Sequence, residues 1–548
     1  MTAEMRPVAI RFGLSLLSAV LLFLAVPTFG VWPLMWVALA PQLWVALDAP
    51  TPRRAFLYGW LTGSVAHAVA FYWMTGLLEK FGHMPAWEAL PIVGLLVAYQ
   101  GVAFGLFSWG VRRLHDRWAS TWPLAVLAPL VMVAIELVVP QMFPYYLAIS
   151  VAFVPALIQV ADITGPVGVT ALLVAASGAL LDAYRARARG WRVAGRNVAI
   201  VVALTALDIG YGAIRIHQVD TRRAAAPKVK TGVVQANIGI LEKWEPSEFA
   251  RLLAAHQRES ATLARAGAEL IVWPESSYPY ALPRAPQAFA RDFPIDDQRR
   301  VRRGFETPIL FGAVTVNPVR GSQRRDRYPY NTALMMNGAG DITGTYDKVF
   351  LMLFGEYIPF YDAIPWFTDL FPEASNFARG SEPASFPLDV GGRSYRLGPL
   401  ICYEDILPSF ARRVATLDPN AFINITNDAW FGRTAEPYQH LALAVFRSVE
   451  HRLEMIRAVN TGVSAHIDAA GRIVAQTESV DPAESPPPTP KTLLVDLAML
   501  PGGGLYRYIS ELFGLLCLSG LAALILWPRP RTSAVTSGGR KKSRRASV

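Results

Sequence analysis

The sequence predicts a polytopic α-helical membrane bundle of about eight spans joined to an extracytoplasmic α/β domain. Hydrophobic residues make up 53% of the 548 residues and charged residues only 17%. The mean hydropathy of +0.29 is high for a soluble protein of this size. Long uncharged runs precede residue 215, which favours membrane helices. From residue 229 onward, short β-branched runs alternate with polar helical stretches, which is typical of an α/β domain.

The predicted spans are uncharged runs long enough for a helix to cross the hydrocarbon core, which takes roughly 20 residues. Residues 12–47 contain no charged side chain. Pro27, Gly30 and Pro33 divide this run into two helices joined by a short turn. The other predicted spans, of which the last follows the α/β domain, lie at 55–78, 89–111, 121–139, 166–181, 198–214 and 509–527.

Arginine and lysine are spread unevenly between the connecting segments, and cytoplasmic loops collect these residues. Arg6 and Arg11 precede the first span, and further clusters follow the second, fourth and sixth spans. Both termini are therefore predicted to be cytoplasmic, with the α/β domain outside. The net charge of +10 is interpreted as membrane topology beside anionic lipid. The bilayer is an expected partner and nucleic acid is not.

This pattern divides the chain into four parts. Residues 1–215 form the N-terminal transmembrane bundle with seven spans, and residues 216–505 form the extracytoplasmic domain. Residues 506–528 form a C-terminal transmembrane helix, and residues 529–548 form a basic cytoplasmic tail. Residues 140–163 are nearly uncharged but interrupted by prolines, which indicates a re-entrant or interfacial segment.

The elements of the α/β domain are predicted from the period of its apolar residues. Strands are predicted at 229–238, 270–273, 309–316, 332–336, 395–403, 421–426, 463–467 and 493–497. Helices are predicted at 246–266, 407–417 and 437–455. The residues that follow the strands are candidate site residues, because α/β sheets gather their sites at the carboxyl ends of strands.

Three polar side chains in this domain, Glu275, Lys348 and Cys402, interrupt the apolar pattern, and Glu275 and Cys402 each lie at the end of a predicted strand. A neighbouring ammonium group is expected to lower the pKa of the thiol. A carboxylate can take the thiol proton as general base, and a lysine can donate a hydrogen bond to a tetrahedral oxyanion. The three residue types together fit acyl transfer through a thioester on cysteine.

Ordinary structural roles stay open for each of these residues at this point. Cys402 could be buried packing, since free cysteine is among the most buried residue types. Glu275 and Lys348 could form an exposed salt bridge, and Glu356 or Glu404 could cap helices. The eight histidines are scattered without metal-ligand spacing, so no metal site and no cofactor are predicted.

Four short motifs resemble the carbon–nitrogen hydrolase (nitrilase) superfamily. They are Trp-Pro-Glu275-Ser, Tyr-Asp-Lys348, Phe-Gly-Glu356-Tyr-Ile-Pro and Ile-Cys402-Tyr-Glu404. With seven predicted spans before the domain and one after it, the pattern is similar to the apolipoprotein N-acyltransferase family within that superfamily. The resemblance implies a nitrilase-like four-layer α-β-β-α sandwich.

The resemblance also implies roles for the matching residues. Glu275 would be the general base, Lys348 the oxyanion stabiliser and Cys402 the nucleophile, and residues 216–505 would be the catalytic domain. Supporting roles that orient the triad or supply a backbone donor near the thiol would fall to Glu356, Tyr403 and Glu404.

The activity implied by the resemblance is a ping-pong acyl transfer that completes lipoprotein maturation. Cys402 would take a fatty acyl chain from a membrane phospholipid. The α-amino group of the diacylglyceryl-modified N-terminal cysteine of a lipoprotein would then accept it. The implied location is the bacterial inner membrane, with the catalytic domain in the periplasm, and the implied state is a monomer without cofactor or metal.

Two other functions stay open. A membrane-tethered amidase that acts on a small periplasmic amide would need only one anchoring helix. A transporter or receptor with an inactive nitrilase-like sensor domain predicts charged residues inside the helices, and few are seen. The apolar segments 350–354 and 364–371 are candidates to line an entrance from lipid, and ordinary core packing explains either of them equally well.

Overall fold

The computed structural model describes most of the chain. The predicted basic tail, 529–548, and the apolar segment 364–371 lie outside the described residues. The described ranges are 5–27, 29–118, 121–187, 190–239, 242–284, 289–317, 328–358, 376–485 and 488–528.

The N-terminal part of the chain is helical, as its apolar runs predict. Small and aliphatic residues such as Ala19, Leu127 and Leu173 are almost fully buried where these helices pack together. The helices are α1 (Met5–Ala25), α2 (Met35–Ala38), α3 (Ala40–Asp48), α4 (Pro52–Ala70), α5 (Trp73–Phe81), α6 (Ala86–Trp118), α7 (Leu124–Val138), α8 (Pro155–Ile158), α9 (Ala161–Thr164), α10 (Pro166–Ala186) and α11 (Trp191–Ala225).

Four of these helices, α1, α6, α10 and α11, are long and apolar enough to cross a membrane over most of their length. In the described part of the chain, α7 and the C-terminal helix Leu512–Leu526 are also apolar but shorter. The second helix expected in the run 12–47 is divided into a 3-10 turn, α2 and α3. These helices indicate a membrane protein, and the number of eight spans stays a prediction.

The predicted span 55–78 is interrupted, because α4 ends at Ala70 and α5 begins at Trp73. The Ala70 carbonyl accepts a hydrogen bond from Nε2 of Gln439 at 3.0 Å, and the indole N–H of Trp73 donates to Oε1 of Gln439 at 3.3 Å. Gln439 lies far along the chain in the α/β domain, so a tertiary contact satisfies a carbonyl that the helix leaves free. At this break, α5 is hydrogen-bonded to the α/β domain through Gln439.

Two β-sheets form the α/β domain. The strands are β1 (Lys228–Gln235), β2 (Leu270–Val272), β3 (Tyr278–Pro283), β4 (Ile309–Val316), β5 (Tyr330–Met336), β6 (Ile342–Asp347), β7 (Phe386–Val390), β8 (Arg393–Ile401), β9 (Ala421–Thr426), β10 (Glu454–Val459), β11 (Ala465–Ile467), β12 (Ile473–Gln476) and β13 (Lys491–Ala498). The first sheet has the order β13-β1-β2-β4-β5-β6 with β3 beside β4, and the second has the order β12-β11-β10-β9-β8-β7.

Helices cover the outer face of each sheet. Helix α12 (Phe249–Arg265) packs on the first sheet at β1, β2 and β3, and α13 (Pro408–Ala415) packs on β8 of the second sheet. Helix α14 (Glu436–His451) contacts β9 of the second sheet through a ring pair. Val233 and Leu397 lie in the buried core that the two sheets share. The result is a four-layer α-β-β-α arrangement, as the resemblance implies.

The predicted helix 437–455 is too long at its carboxyl end. Helix α14 stops at His451, Arg452 adopts a left-handed conformation with a φ of +52°, and β10 begins at Glu454. Strand β10 pairs in parallel with β9, and the buried Glu454 carboxylate bonds to His466 at 2.7 Å. Sheet pairing therefore overrides the helical pattern at this point.

The segment 140–163 lies between the bundle and the α/β domain. Within it, Asp162 of α9 is buried and binds two arginines through Oδ2, Arg452 from the end of α14 at 2.6 Å and Arg215 from α11 at 2.7 Å. This cluster ties the membrane helices to the helical layer of the second sheet. The chain then returns to the bundle through α15 (Tyr506–Ile509) and α16 (Leu512–Leu526).

Replacing Asp162 by asparagine is expected to destabilise the protein by about 3 kcal/mol or more, because it leaves buried Arg452 without its carboxylate. The loss is measured as the shift of the denaturation midpoint in detergent micelles. Asp341→Asn is the matched control, since it removes the partner of the exposed Arg291 and should cost at most about 1 kcal/mol. Equal midpoints for the two variants would contradict a buried tie between the two parts.

Candidate active site

The three residues predicted to carry the chemistry all follow strands of the two sheets. Glu275 comes shortly after β2 and Lys348 directly after β6, both in the first sheet, whereas Cys402 directly follows β8 of the second sheet. The two sheets face each other, so the strand ends present these side chains at a shared edge. The structure brings the three residues together from positions far apart in the sequence.

Lys348 is held between two carboxylates. Its Nζ lies 3.1 Å from Oε1 of Glu275 and 2.7 Å from Oε2 of Glu356. Asn331 spans the same pair, because its Nδ2 donates to Oε1 of Glu275 at 2.6 Å and to Oε1 of Glu356 at 2.8 Å. The side chains of Lys348 and Glu275 are only 1% and 9% exposed, which rules out the exposed salt bridge considered from the sequence.

Cys402 adopts a strained backbone conformation at the end of β8. Its φ of +50° lies in the left-handed region, which costs a residue with a side chain about 1–3 kcal/mol. The Asn424 side chain donates to the Cys402 carbonyl at 3.4 Å, and the Thr426 side chain lowers the pKa of the thiol. Contacts from β9 therefore hold a sharp turn that places the sulfur beside Glu275 and Lys348.

The electrostatics of the thiol differ from the expectation. Burial raises the pKa of the Cys402 thiol well above its usual range, and Glu275 raises it further, although Lys348 lowers it. Lys348 lowers the pKa of the thiol, as expected, but burial outweighs its effect. Burial works against the charge of Lys348, but Cys402 and the two carboxylates raise the pKa of its ammonium well above its usual value. Burial thus favours the neutral form of the thiol, and the neighbouring anions favour the charged form of Lys348.

The Glu404 carboxylate accepts hydrogen bonds from backbone N–H groups of two segments that border the site. Its Oε1 accepts hydrogen bonds from the backbone N–H groups of Val349 at 2.7 Å and Phe350 at 3.0 Å, and its Oε2 accepts from Ile401 at 2.9 Å. Burial raises the pKa of Glu404 to about 7 despite these donors. This carboxyl group ties the loop after Lys348 to the strand before the cysteine.

Tyr403 connects the site to the membrane bundle. Its hydroxyl group donates to the carbonyl of Met142 at 3.1 Å, and Met142 belongs to the segment between the two parts of the chain. The backbone donation near the thiol that the resemblance implies for Tyr403 stays a prediction.

A cavity of about 920 Å³ opens at the three residues and extends along α5 and α6. Glu275, Lys348 and Cys402 line its polar end. Residues 352–354, from the predicted entrance segment 350–354, also line it. Its remaining wall is mainly apolar and comes largely from the bundle, including Phe71, Trp73, Leu78, Leu96, Tyr99 and Phe143. A long apolar chain therefore fits with one end at the sulfur.

A second group of buried charges borders this cavity. His440 bonds through Nε2 to Asp405 at 2.8 Å and lies 3.5 Å from Asp428 through Nδ1. Burial and Arg457 lower the pKa of His440, but Asp405 and Asp428 raise it more, to about 10. Asp428, Glu436 and His440 are close enough to share a metal ion. In this structure His440 and its two aspartate partners form a buried ion-pair network.

Three polar residues of the site were missed in the sequence. Thr426 lies at the carboxyl end of β9, where the strand-end rule is the signal that could have found it, whereas Asn331 lies at the amino end of β5, where that rule does not apply. Lys243 is only 6% exposed and donates from Nζ to the Glu275 carbonyl at 2.9 Å. It lies in the polar sequence Glu-Lys-Trp-Glu, which is typical of a solvated turn and gives no such signal.

Two family models match the chain: the apolipoprotein N-acyltransferase N-terminal domain over residues 18–179 and carbon-nitrogen hydrolase over residues 230–482. An apolipoprotein N-acyltransferase of Geobacter metallireducens is 31% identical, with 93% of this chain and 94% of that protein covered. One of Rhizobium leguminosarum bv. trifolii is also 31% identical, with 85% and 87% covered.

Among solved structures, Saccharomyces cerevisiae Nit3, a member of branch 10 of the nitrilase superfamily, is 19% identical with a TM-score of 0.35. It covers 50% of this chain and 90% of its own. The identity and coverage of the Geobacter relative extend through both the bundle and the α/β domain. The chain belongs to the apolipoprotein N-acyltransferase family.

Proposed function

We propose that this chain is an apolipoprotein N-acyltransferase that uses a membrane phospholipid as acyl donor. The acceptor is the α-amino group of the N-terminal S-diacylglyceryl-cysteine of a lipoprotein. One observation carries the proposal: Glu275, Lys348 and Cys402 lie at the polar end of a large apolar cavity that extends along the membrane helices. The names of its relatives support the acyltransferase activity.

The first half-reaction forms a thioester. Glu275 takes the thiol proton of Cys402, and the sulfur attacks the ester carbonyl carbon of the phospholipid. Lys348, which keeps its charge, donates a hydrogen bond to the oxyanion. The carbon–oxygen bond then breaks, Glu275 returns the proton to the glycerol oxygen, and lysophospholipid leaves. Because the thiol is neutral at rest, the nearby base is essential to this step.

The second half-reaction forms an amide. The neutral amine of the lipoprotein attacks the thioester carbonyl carbon, and Lys348 again stabilises the oxyanion. Glu275 takes a proton from the amine nitrogen, the carbon–sulfur bond breaks, and the sulfur receives that proton. The enzyme is restored, and the two half-reactions together have ping-pong kinetics.

The position of the cavity beside the membrane helices favours lipid substrates. Extracting an acyl chain from a bilayer costs about 0.8 kcal/mol per CH₂ group, and a cavity walled by bundle helices avoids most of that cost. The apolar wall around Phe71 and Phe143 also keeps water from the thioester. A transferase needs both properties, whereas an amidase for a small soluble amide needs neither.

The domain layout and location belong to the same proposal. Seven spans in residues 1–215 precede a periplasmic catalytic domain, 216–505, and an eighth span in residues 506–528 returns the tail, 529–548, to the cytoplasm. The distribution of Arg and Lys in the sequence supports this orientation. The enzyme acts as a monomer in the inner membrane of a bacterium, without metal or cofactor.

Product analysis with acyl-labelled phospholipid and a diacylated peptide tests this function. The proposal expects label on the protein before the peptide is added and label on the peptide amine afterwards. Label released only as free fatty acid would show a hydrolase, and ammonia released from small amides without acyl transfer would show an amidase. Absence of turnover with every substrate would favour a sensor or transport role.

A further inference from the structure

Lys243 is a second lysine at the polar end of the cavity, besides the one in the predicted triad. It lies in the 3-10 turn Glu242–Trp244, is only 6% exposed and lines the same cavity as Cys402. Its Nζ donates to the backbone carbonyl of Glu275 at 2.9 Å. The two half-reactions above give this side chain no role.

The ammonium group of Lys243 has unused hydrogen-bonding capacity. An ammonium carries three N–H donors. Among the described residues, the Lys243 ammonium donates to one acceptor, the backbone carbonyl of Glu275. The other cations of the cavity wall are bound by carboxylates: Lys348 by Glu275 and Glu356, and His440 by Asp405. Among the described residues that line this cavity, Lys243 is therefore the positively charged side chain that contacts no carboxylate.

A buried cation without an anion is costly unless a ligand supplies the countercharge. Burial lowers the pKa of Lys243 to about 8, although the charge of Glu275 raises it. The group therefore still carries its charge for most of the time at neutral pH. An anionic substrate group that reaches the ammonium offsets the cost of its burial and gains a charge-assisted hydrogen bond.

The two substrates of the proposed function differ in one respect that matters here. A phospholipid carries a phosphodiester anion on the same glycerol as its ester groups, so the anion enters the cavity within a few bonds of the reacting carbonyl. The diacylglyceryl group of the acceptor carries no phosphate. We propose that Lys243 binds the phosphodiester of the acyl donor and so selects phospholipids over neutral lipids in the first half-reaction. This inference rests on the proposed function.

The test compares donors with identical acyl chains in single-turnover acylation of the full-length protein. The donors are phosphatidylglycerol, diacylglycerol and a p-nitrophenyl ester, of which only the first carries phosphate. Lys243→Met is expected to lower kcat/KM for acylation by phosphatidylglycerol about 10- to 100-fold, mainly through KM. Acylation by the neutral donors should fall by a clearly smaller factor, because they lose only the contact of Lys243 with the Glu275 carbonyl and not a charged hydrogen bond to phosphate.

Two further measurements complete the design. Lys243→Arg, which keeps a cation, should recover part of the preference for the phospholipid. Lys230→Met removes an exposed lysine of β1 and should act like the wild type with every donor. Transfer from a preformed acyl-enzyme to the diacylated peptide, which carries no phosphate, should be slowed in Lys243→Met no more than acylation by the neutral donors.

The possible results separate this inference from the function on which it rests. Equal losses with all three donors in Lys243→Met would overturn phosphodiester binding, because the residue would then serve a step common to every ester. Unchanged acylation by phosphatidylglycerol would overturn it as well. Failure of the wild type itself to take an acyl group from phosphatidylglycerol would instead contradict the proposed donor.

Discussion

Cys402→Ala is expected to leave no acyl group on the protein after incubation with acyl-labelled phospholipid. Acyl transfer to a diacylated peptide should fall by about 10⁴-fold or more, since loss of a nucleophile removes the covalent route. The reason is structural: the turn after β8 places this sulfur beside Glu275 and Lys348, and the Cys402 thiol is free of any disulfide. Fluorography of the denatured protein measures the adduct.

Cys517→Ala is the matched control for this experiment. Cys517 is the other cysteine of the chain and lies in α16, away from the cavity. The control should keep its adduct and its transfer rate. An adduct that persists in Cys402→Ala would place the nucleophile at another residue.

Glu275→Gln is expected to slow acylation of Cys402 by about 10²- to 10⁴-fold, the usual contribution of a general base. The amide keeps the shape of the side chain but cannot take the thiol proton. Burial raises the pKa of that thiol. The thiol is therefore not already ionised, and its attack still requires a base. Lys348 keeps its contact with Glu356, and the fold should survive. Single-turnover acylation, followed by quenching at set times, measures the rate.

The control for this variant is Glu382→Gln, which alters an exposed carboxylate paired with Arg413. Its acylation rate should match the wild type, and both variants should show the melting temperature of the wild type within a few degrees. A wild-type acylation rate in Glu275→Gln would remove this residue from the role of base.

The sequence was informative about the site because the fold places reactive residues at strand ends. Glu275 and Cys402 follow short apolar runs that are recognisable without a structure, and both runs are strands. The resemblance in turn implies that Lys348 joins them. The long apolar runs of the first two hundred residues likewise indicate the helical part of the chain, although not where every helix ends.

What sequence reasoning missed depends on tertiary contacts. The break between α4 and α5 follows from Gln439, which bonds to the Ala70 carbonyl from the α/β domain. Strand β10 continues an apolar pattern that suits a helix equally well, and pairing with β9 decides the outcome. Strands β6 and β12 lie at the ends of their sheets and alternate between more and less exposed residues, so neither gives the long apolar run of a buried strand.

The balance of charges around the Cys402 thiol could also not be predicted from the sequence. A lysine near a cysteine suggests a thiolate, but the outcome depends on which other groups share the lysine. Glu356 and Asn331 complete a frame in which the Lys348 charge is already compensated. The proposed chemistry therefore relies on proton transfer to a base during attack, because burial disfavours a preformed thiolate.

The account is tested most directly by a pulse–chase experiment on the full-length protein, read by peptide mass spectrometry. Phospholipid is supplied first, and a diacylated peptide is added after excess donor has been removed. The account predicts one fatty acyl group on the peptide that contains Cys402, labile to hydroxylamine, which disappears at the rate at which N-acylated product forms. Product formed without that adduct, or an adduct on another residue that is chased into product, would contradict an acyl relay through this sulfur.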